Sequence, residues 1–229
     1  ARGRASSPQI LKLKMDPTEI DSKGANQVRL VTFNVNGLRT LFQYHPFSRM
    51  NGSLAQAFDY FQADVITFQE LKIDKLAVTK WGKVDDFYSF ISIPVNKKGY
   101  SGVGCWIRIP KNDDPLSQKL CVLKAEEGIT GILSIKNGKV EISYRDDPEQ
   151  GIGGYNSLGL EDDKEALELD SEGRCVMVEL SSNLIIISVY CPANSSQTEE
   201  GERFRLKFLN VLFRRIRNFH KMGKEVVLM

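Results

Sequence analysis

The sequence predicts an α/β fold, and three observations carry the prediction. Residues 29–70 alternate strand, loop, helix and strand, a pattern that makes the two strands neighbours, with parallel pairing among the options. The middle of the chain holds pairs of β-branched runs joined by short polar turns, as antiparallel hairpins do. Residues 202–222 form an amphipathic helix that leads into a further apolar run.

The first strand opens at Arg29. Leu30, Val31, Phe33 and Val35 give it β-branched and aromatic content, and it stops in Asn34-Val35-Asn36-Gly37. Amides and a glycine at a strand end put oxygen ligands on a sheet rim beside close-approaching backbone; the same residues also make an ordinary turn. The second strand, residues 65–70, is again apolar and ends in the carboxylate of Glu70. Between the two, Ser53-Leu54-Ala55-Gln56 has the form of a capping box. Leu54, Phe58 and Phe61 follow at helical spacing, which predicts a helix over 53–62.

Further along, residues 87–93 and 103–109 read as strands around a Lys97-Lys98-Gly99-Tyr100-Ser101-Gly102 turn. Asn137-Gly138, between β-branched runs in 132–144, is a two-residue hairpin signal. Residues 141–172 are rich in acids, poor in apolar residues and carry Gly151, Gly153 and Gly154; they read as a surface insertion, partly disordered. Residues 174–180 and 184–190 form another hairpin around Ser181-Ser182-Asn183. The 202–222 helix puts Phe204, Phe208, Leu212 and Phe219 on one face. Its Arg203, Arg205, Arg214, Arg215 and Arg217 are either a solvated basic face or phosphate contacts. Residues 225–229 begin a strand, and since domains do not stop inside an apolar strand, the chain is expected to continue.

Composition bounds the function. With 229 residues, 41% hydrophobic and 26% charged, the chain has a globular make-up with enough length for one sizeable core or two small ones. No apolar run approaches the roughly 20 residues that span a bilayer, so no membrane partner is expected. A net charge of +2 neither demands nor excludes nucleic acid. The four cysteines, Cys105, Cys121, Cys175 and Cys191, show no zinc spacing and read as reduced, mostly buried thiols of a nuclear or cytosolic protein. Residues 1–27 are expected to be a disordered basic segment, with Met15 as the native start, and 28–229 the domain.

Five motifs occur in one order: residues 29–39, Gln69-Glu70-Leu71-Lys72, Gly99-Tyr100-Ser101-Gly102-Val103-Gly104, Asp170-Ser171-Glu172-Gly173-Arg174 and Val189-Tyr190-Cys191-Pro192. Together they resemble the exonuclease III family of apurinic/apyrimidinic (AP) endonucleases, and are most similar to the fungal form of its second eukaryotic subfamily. The resemblance implies a two-sheet β-sandwich flanked by helices, the endonuclease/exonuclease/phosphatase fold, of which this chain holds the N-terminal portion. It implies a Mg²⁺-dependent nuclease of base excision repair, with Mn²⁺ as the alternative ion. The expected substrates are DNA with abasic sites or blocked 3′ ends, and a 3′→5′ exonuclease activity accompanies them.

Residue by residue, the resemblance makes Glu70 the metal carboxylate, and Asn34 either a direct ligand through its amide oxygen or a support behind it. Asn36 is a weaker candidate. Tyr190 becomes the catalytic tyrosine that hydrogen-bonds the scissile phosphate. Arg39, Tyr100 and Arg174 become DNA contacts or supports of the site. Asn194 stands one residue beyond the usual family position, which Ala193 occupies here. The family's Gly-Asp-x-Asn and Ser-Asp-His motifs do not occur in the chain, so this polypeptide alone is expected to be inactive. A nuclear monomer is expected, with mitochondrial location and a sliding clamp, bound through regions outside this chain, as alternatives. Two other readings are a phosphatase or phospholipase of the same superfold and a non-catalytic fragment that binds DNA or a partner.

Overall fold

The computed structural model describes residues 20–137 and 140–229. The first four strands are β1 (Leu30–Asn34), β2 (Val65–Gln69), β3 (Phe87–Ser92) and β4 (Val103–Arg108), forming one sheet in the order β1-β2-β4-β3. Then come β5 (Val122–Glu127), a separate small hairpin of β6 (Ser134–Asn137) and β7 (Val140–Ser143), and β8 (Cys175–Leu180), β9 (Leu184–Val189) and β10 (Glu225–Leu228). The second sheet runs β10-β9-β8-β5. Each sheet has the same plan: one parallel edge pair, β1 on β2 or β10 on β9, and antiparallel pairing elsewhere. The helices are α1 (Leu38–Leu41), α2 (Leu54–Phe61), α3 (Lys75–Gly82), α4 (Asp163–Asp170) and α5 (Glu199–Lys221).

The sheets stack with β2 over β9, β4 over β8 and β9, and β3 over β8 and β5. Val65, Val103, Cys105 and Ile107 meet Val176, Val178, Leu180 and Ile186 between them. On the outside of the first sheet, Ile66, Phe68 and Trp106 pack on Phe58 of α2 and Trp81 of α3. On the outside of the second, Ile185 and Ile187 pack on Phe208, Val211, Leu212 and Phe219 of α5. The inner strands are therefore covered on both faces, which is why β2, β8 and β9 read as mainly apolar runs and not as alternation.

The helix at 53–62 begins as its cap predicts, with Ser53 Oγ accepting from the Gln56 N–H at 3.3 Å. The last helix starts earlier than 202, at Glu199, because Thr198 Oγ1 caps the Gly201 N–H at 3.0 Å and Glu199, Glu200 and Glu202 suit the helix dipole. In the hairpin at 132–144, Asn137 pairs with Val140; residues 138 and 139 lie outside the described residues. Of the segment 1–27, residues 1–19 also lie outside them. Residues 20–27 are tethered by Lys23, whose ammonium sits 2.6 Å from the buried Asp64 carboxylate.

The segment 141–172 differs from the expected disordered loop. It carries α4, capped by Asp162 Oδ1 on the Glu165 N–H at 2.8 Å, and it buries Ile152, Leu158, Ala166 and Leu169. Ile152, Leu158 and Leu169 join the core that α5 builds on the second sheet. Its glycines serve close approach: a Cβ on Gly154 would lie 3.1 Å from the Phe219 ring, and φ there is +78°. Arg215, fully buried, ties the segment down. Its guanidinium pairs with Glu126 and donates to Gly153 O at 2.9 and 3.1 Å and to Ile129 O at 3.2 Å. The thiols also differ from expectation. Cys105 and Cys175 are buried, but Cys121 and Cys191 are exposed, Cys191 because it stands beyond the end of β9.

Candidate active site at the sheet rim

Hydrogen bonding does not stop where the strands stop. Val35 N donates to Gln69 O at 3.1 Å, Gly37 N to Glu70 O at 2.7 Å, and Leu38 N to Leu71 O at 3.0 Å. Leu71 N donates to Gly102 O at 3.0 Å, Lys72 N to Ser101 O at 2.9 Å, Gly102 N to Gly173 O at 3.2 Å, and Tyr190 N to Arg174 O at 2.8 Å. This ladder stitches five chain segments into one floor and crosses from the first sheet to the second at Gly102 and Gly173. Only glycine fits at 173, where φ is +63° and a Cβ would stand 2.4 Å from the carbonyl carbon of Ile93. The floor also holds four non-glycine residues with left-handed backbone: Asn36, Glu70, Lys72 and Ser101. Such residues persist only where their surroundings over-determine them, and they gather at functional sites.

Asn34 and Glu70 come together because β1 and β2 pair in parallel, with Asn34 opposite Gln69. The Asn34 amide is oriented by its neighbours. Its oxygen accepts the Asn36 N–H at 3.0 Å, so its nitrogen is left to donate to Glu70 Oε1 at 2.8 Å. Lys72 Nζ lies 3.0 Å from Glu70 Oε2 and also donates to Asn36 Oδ1. The Tyr190 phenol lies near enough to the same carboxylate for each to act on the other's protonation. The Asn34 hydrogen bond, with help from Lys72 and Tyr190 and against partial burial, holds the Glu70 carboxyl below the usual range. Burial, together with the charge of Glu70, pushes the Tyr190 phenol up, so at neutral pH it is a hydrogen-bond donor beside an ionised carboxylate.

Arg174 lies behind Tyr190. Its guanidinium stacks on the rings of Tyr190 and Tyr100, with centroid distances of 5.2 and 5.4 Å, and it donates to Glu172 Oε2 at 2.6 Å, Tyr190 O at 3.2 Å and the Tyr100 hydroxyl. Arg39 is exposed on a flanking cleft of about 330 Å³, shared with Asn36, Lys72, Lys98 and Gly99. Asn194 is not brought to the cluster. Its oxygen accepts the Thr198 N–H at 3.1 Å and its nitrogen donates to Thr198 O at 2.8 Å, so its amide shapes the loop before α5. On α5 itself, Arg205 pairs with Glu202, Arg214 donates to Ser157 O at 3.2 Å and Arg215 is interior, while Arg203 and Arg217 are exposed. Lys72, which sequence reasoning quoted within a motif but did not single out, is the cation nearest Glu70. The signal for it was a lysine two residues beyond a rim carboxylate.

The family model described as Endonuclease/Exonuclease/phosphatase family matches residues 31–229. The chain is 66% identical over 214 residues to DNA-(apurinic or apyrimidinic site) endonuclease 2 of Saccharomyces cerevisiae, covering 93% of this chain and 41% of that protein. It is 37% identical over 203 residues to the Schizosaccharomyces pombe protein of the same name, covering 88% of this chain and 36% of that one. The chain thus spans about two-fifths of the length of these curated relatives. The crystal structure of the Xenopus laevis APE2 catalytic domain superposes with a TM-score of 0.65 at 24% identity, over 87% of this chain and 56% of that chain, a likeness of fold.

Proposed function

The chain belongs to the endonuclease/exonuclease/phosphatase family, and on that premise we propose that a polypeptide of its relatives' full length is a Mg²⁺-dependent DNA repair nuclease. It incises at abasic sites, clears blocked 3′ ends and degrades DNA 3′→5′. The names of the two yeast relatives support the abasic substrate. The observation that carries the reading is the ionised Glu70 pinned at the rim by Asn34 and Lys72, with the Tyr190 phenol beside it.

The donor set fits a hard cation. Among the described residues no group of three or more His, Cys, Asp or Glu side chains gathers around a common point. Mg²⁺ does not need one, because it keeps several waters and takes one or two carboxylates together with substrate phosphate. Glu70 would hold it. The Asn34 nitrogen donates to Glu70, which supports the role of Asn34 as the residue that aims the carboxylate. When bound, the ion neutralises charge that develops on the scissile phosphate. Tyr190, kept protonated, offers its O–H to a phosphate oxygen. Arg39 and Lys98, which have no ion-pair partner among the described residues, line the flanking cleft where a DNA strand would pass. No described helix is long and apolar enough to cross a membrane. In this reading the protein works as a monomer in the nucleus.

The test compares the full-length polypeptide and the 229-residue chain on a duplex with a single abasic site, with Mg²⁺ or with chelator. The full-length protein is expected to cut, chelator to abolish cutting, and Glu70→Gln to slow it by about 100-fold or more. Cleavage indifferent to chelator, or a preference for inositol phosphates or sphingomyelin over DNA, would overturn the reading.

A further inference from the structure

We infer that Arg174 is a positioning residue: its guanidinium clamps the Tyr100 and Tyr190 rings and so fixes where the Tyr190 hydroxyl stands beside Glu70. The inference rests on the nuclease reading. The resemblance allows Arg174 to be a DNA contact, but its surroundings leave little for DNA to touch. Arg174 is 4% exposed. Its Nε is taken by Glu172 at 2.6 Å, its Nη1 by the Tyr190 carbonyl at 3.2 Å, and its Nη2 by the Tyr100 hydroxyl. Both ring faces it meets are within cation–π range.

The clamp spans the two sheets. Tyr100 precedes β4 of the first sheet, while Arg174 precedes β8 and Tyr190 follows β9 of the second. Glu172 anchors it: the carboxylate orients the guanidinium and also meets Lys97 at 3.5 Å, while Lys97 lies 4.9 Å from the Tyr100 ring centroid. A planar fork with fixed donor directions is what such a clamp requires. A lysine supplies the same charge but neither the fork nor the flat face.

The proposal separates from a phosphate contact by experiment. In the full-length polypeptide, Arg174→Lys and Arg174→Gln are compared with wild type for kcat and KM on abasic duplex and for the slope of log Kd against log salt. A clamp predicts that both variants lose kcat by about 10- to 100-fold, with KM within about twofold, since a small misplacement at the reacting centre has that effect. The salt slope stays at the wild-type value. A phosphate contact predicts instead that Arg174→Lys stays close to wild type, while Arg174→Gln raises KM and lowers the salt slope by about 1. That result would overturn the proposal.

A second measurement needs no catalysis. In the 229-residue chain, the aromatic NMR resonances of Tyr100 and Tyr190, assigned with Tyr100→Phe and Tyr190→Phe, are expected to shift together in Arg174→Lys. Unmoved resonances would also overturn the clamp. Should Arg174→Lys fail to fold, Tyr100→Phe removes only the hydroxyl that Arg174 donates to. Its own effect on the Tyr190 ring resonances then decides, movement supporting the clamp and none overturning it. If the wild-type polypeptide cuts no DNA, the nuclease reading falls, while the resonances still report on the clamp.

Discussion

Replacing Arg215 with methionine tests how the acidic segment is held. Arg215 and Glu126 form an ion pair in which both side chains are 0% exposed. Without the guanidinium, Glu126 keeps the Ile152 N–H at 2.5 Å and the Tyr155 hydroxyl, but its charge loses its counter-ion in the interior. The carbonyls of Gly153 and Ile129 lose their donors as well, and Tyr155 and Phe219 lose the cation against their rings. Removing one partner of a buried pair costs about 3–5 kcal/mol. For a chain of this size that lowers the melting temperature by about 6–20 °C. Urea unfolding measures the loss, and hydrogen exchange over residues 144–160 shows where it falls. Pairing Arg215→Met with Glu126→Met is expected to restore part of the stability, because the uncompensated charge is gone. A loss under about 1 kcal/mol in the single variant, or exchange in 144–160 that does not rise, would refute the assignment of Arg215 as the tie.

Burial pushes the Asp170 carboxyl up to about 6, despite the Ile129 and Thr130 donors around it. The folded protein therefore takes up this proton at higher pH than the unfolded chain, and the stability linked to it is present at low pH and lost as pH rises through 6. Between pH 4 and 7 the difference in unfolding free energy between wild type and Asp170→Asn should change by about 2 kcal/mol, read from urea midpoints; a difference flat in pH would contradict the burial argument. Gly173→Ala is expected to destabilise by about 2 kcal/mol or more, because the new Cβ meets the Ile93 backbone and the conformation is left-handed. Thermal unfolding checks it, and a near-wild-type melting temperature would mean that the floor can give way there.

Much of the sandwich was readable in the chain because both faces of its inner strands are covered. The runs at 65–69, 175–180 and 184–189 are mostly apolar and rich in β-branched residues, with only Thr67, Gln69, Glu179 and Ser188 polar, as short strands buried on both faces require. β5 was not readable. Its Lys124, Glu126 and Glu127 look like surface, yet Lys124 reaches the carbonyls of Pro148 and Gly151, Glu126 meets Arg215, and Glu127 accepts from Ser92 at 2.7 Å. Those partners lie 24 to 89 residues away in sequence, so no local window holds the signal. α3 was missed for the opposite reason: its buried residues are only Trp81 and Gly82, too few to set a period, and its cap, Asp74 on the Ala77 N–H at 2.9 Å, is a single residue. At the site, Asn34, Glu70 and Tyr190 could be named from motifs, but the direction of the Asn34 amide depends on the Asn36 N–H. That N–H is placed by a left-handed residue, which sequence does not announce.

The two sheets do not contribute equally to the cluster, and this divides its sensitivities. Asn34, Glu70 and Lys72 all hang from β1 and β2, two strands of one sheet in fixed parallel register. A slide of one sheet over the other leaves their distances unchanged. Tyr190 comes from the other sheet, so the same slide carries it away from Glu70. The bonds that resist the slide at the rim join the loop before β4 to the loop before β8: Val95 N to Ser171 O at 3.0 Å, Gly102 N and Ser101 Oγ to Gly173 O, both at 3.2 Å, Lys97 to Glu172 at 3.5 Å, and Arg174 to the Tyr100 hydroxyl. If the proposed nuclease reading holds, substitutions at these crossings should leave Glu70's hold on a cation intact and disturb the hydrogen bond from Tyr190 to a phosphate, whereas Asn34 substitutions should do the reverse. The cluster is two functional halves joined at a seam, and Gly173 and Arg174 lie on the seam.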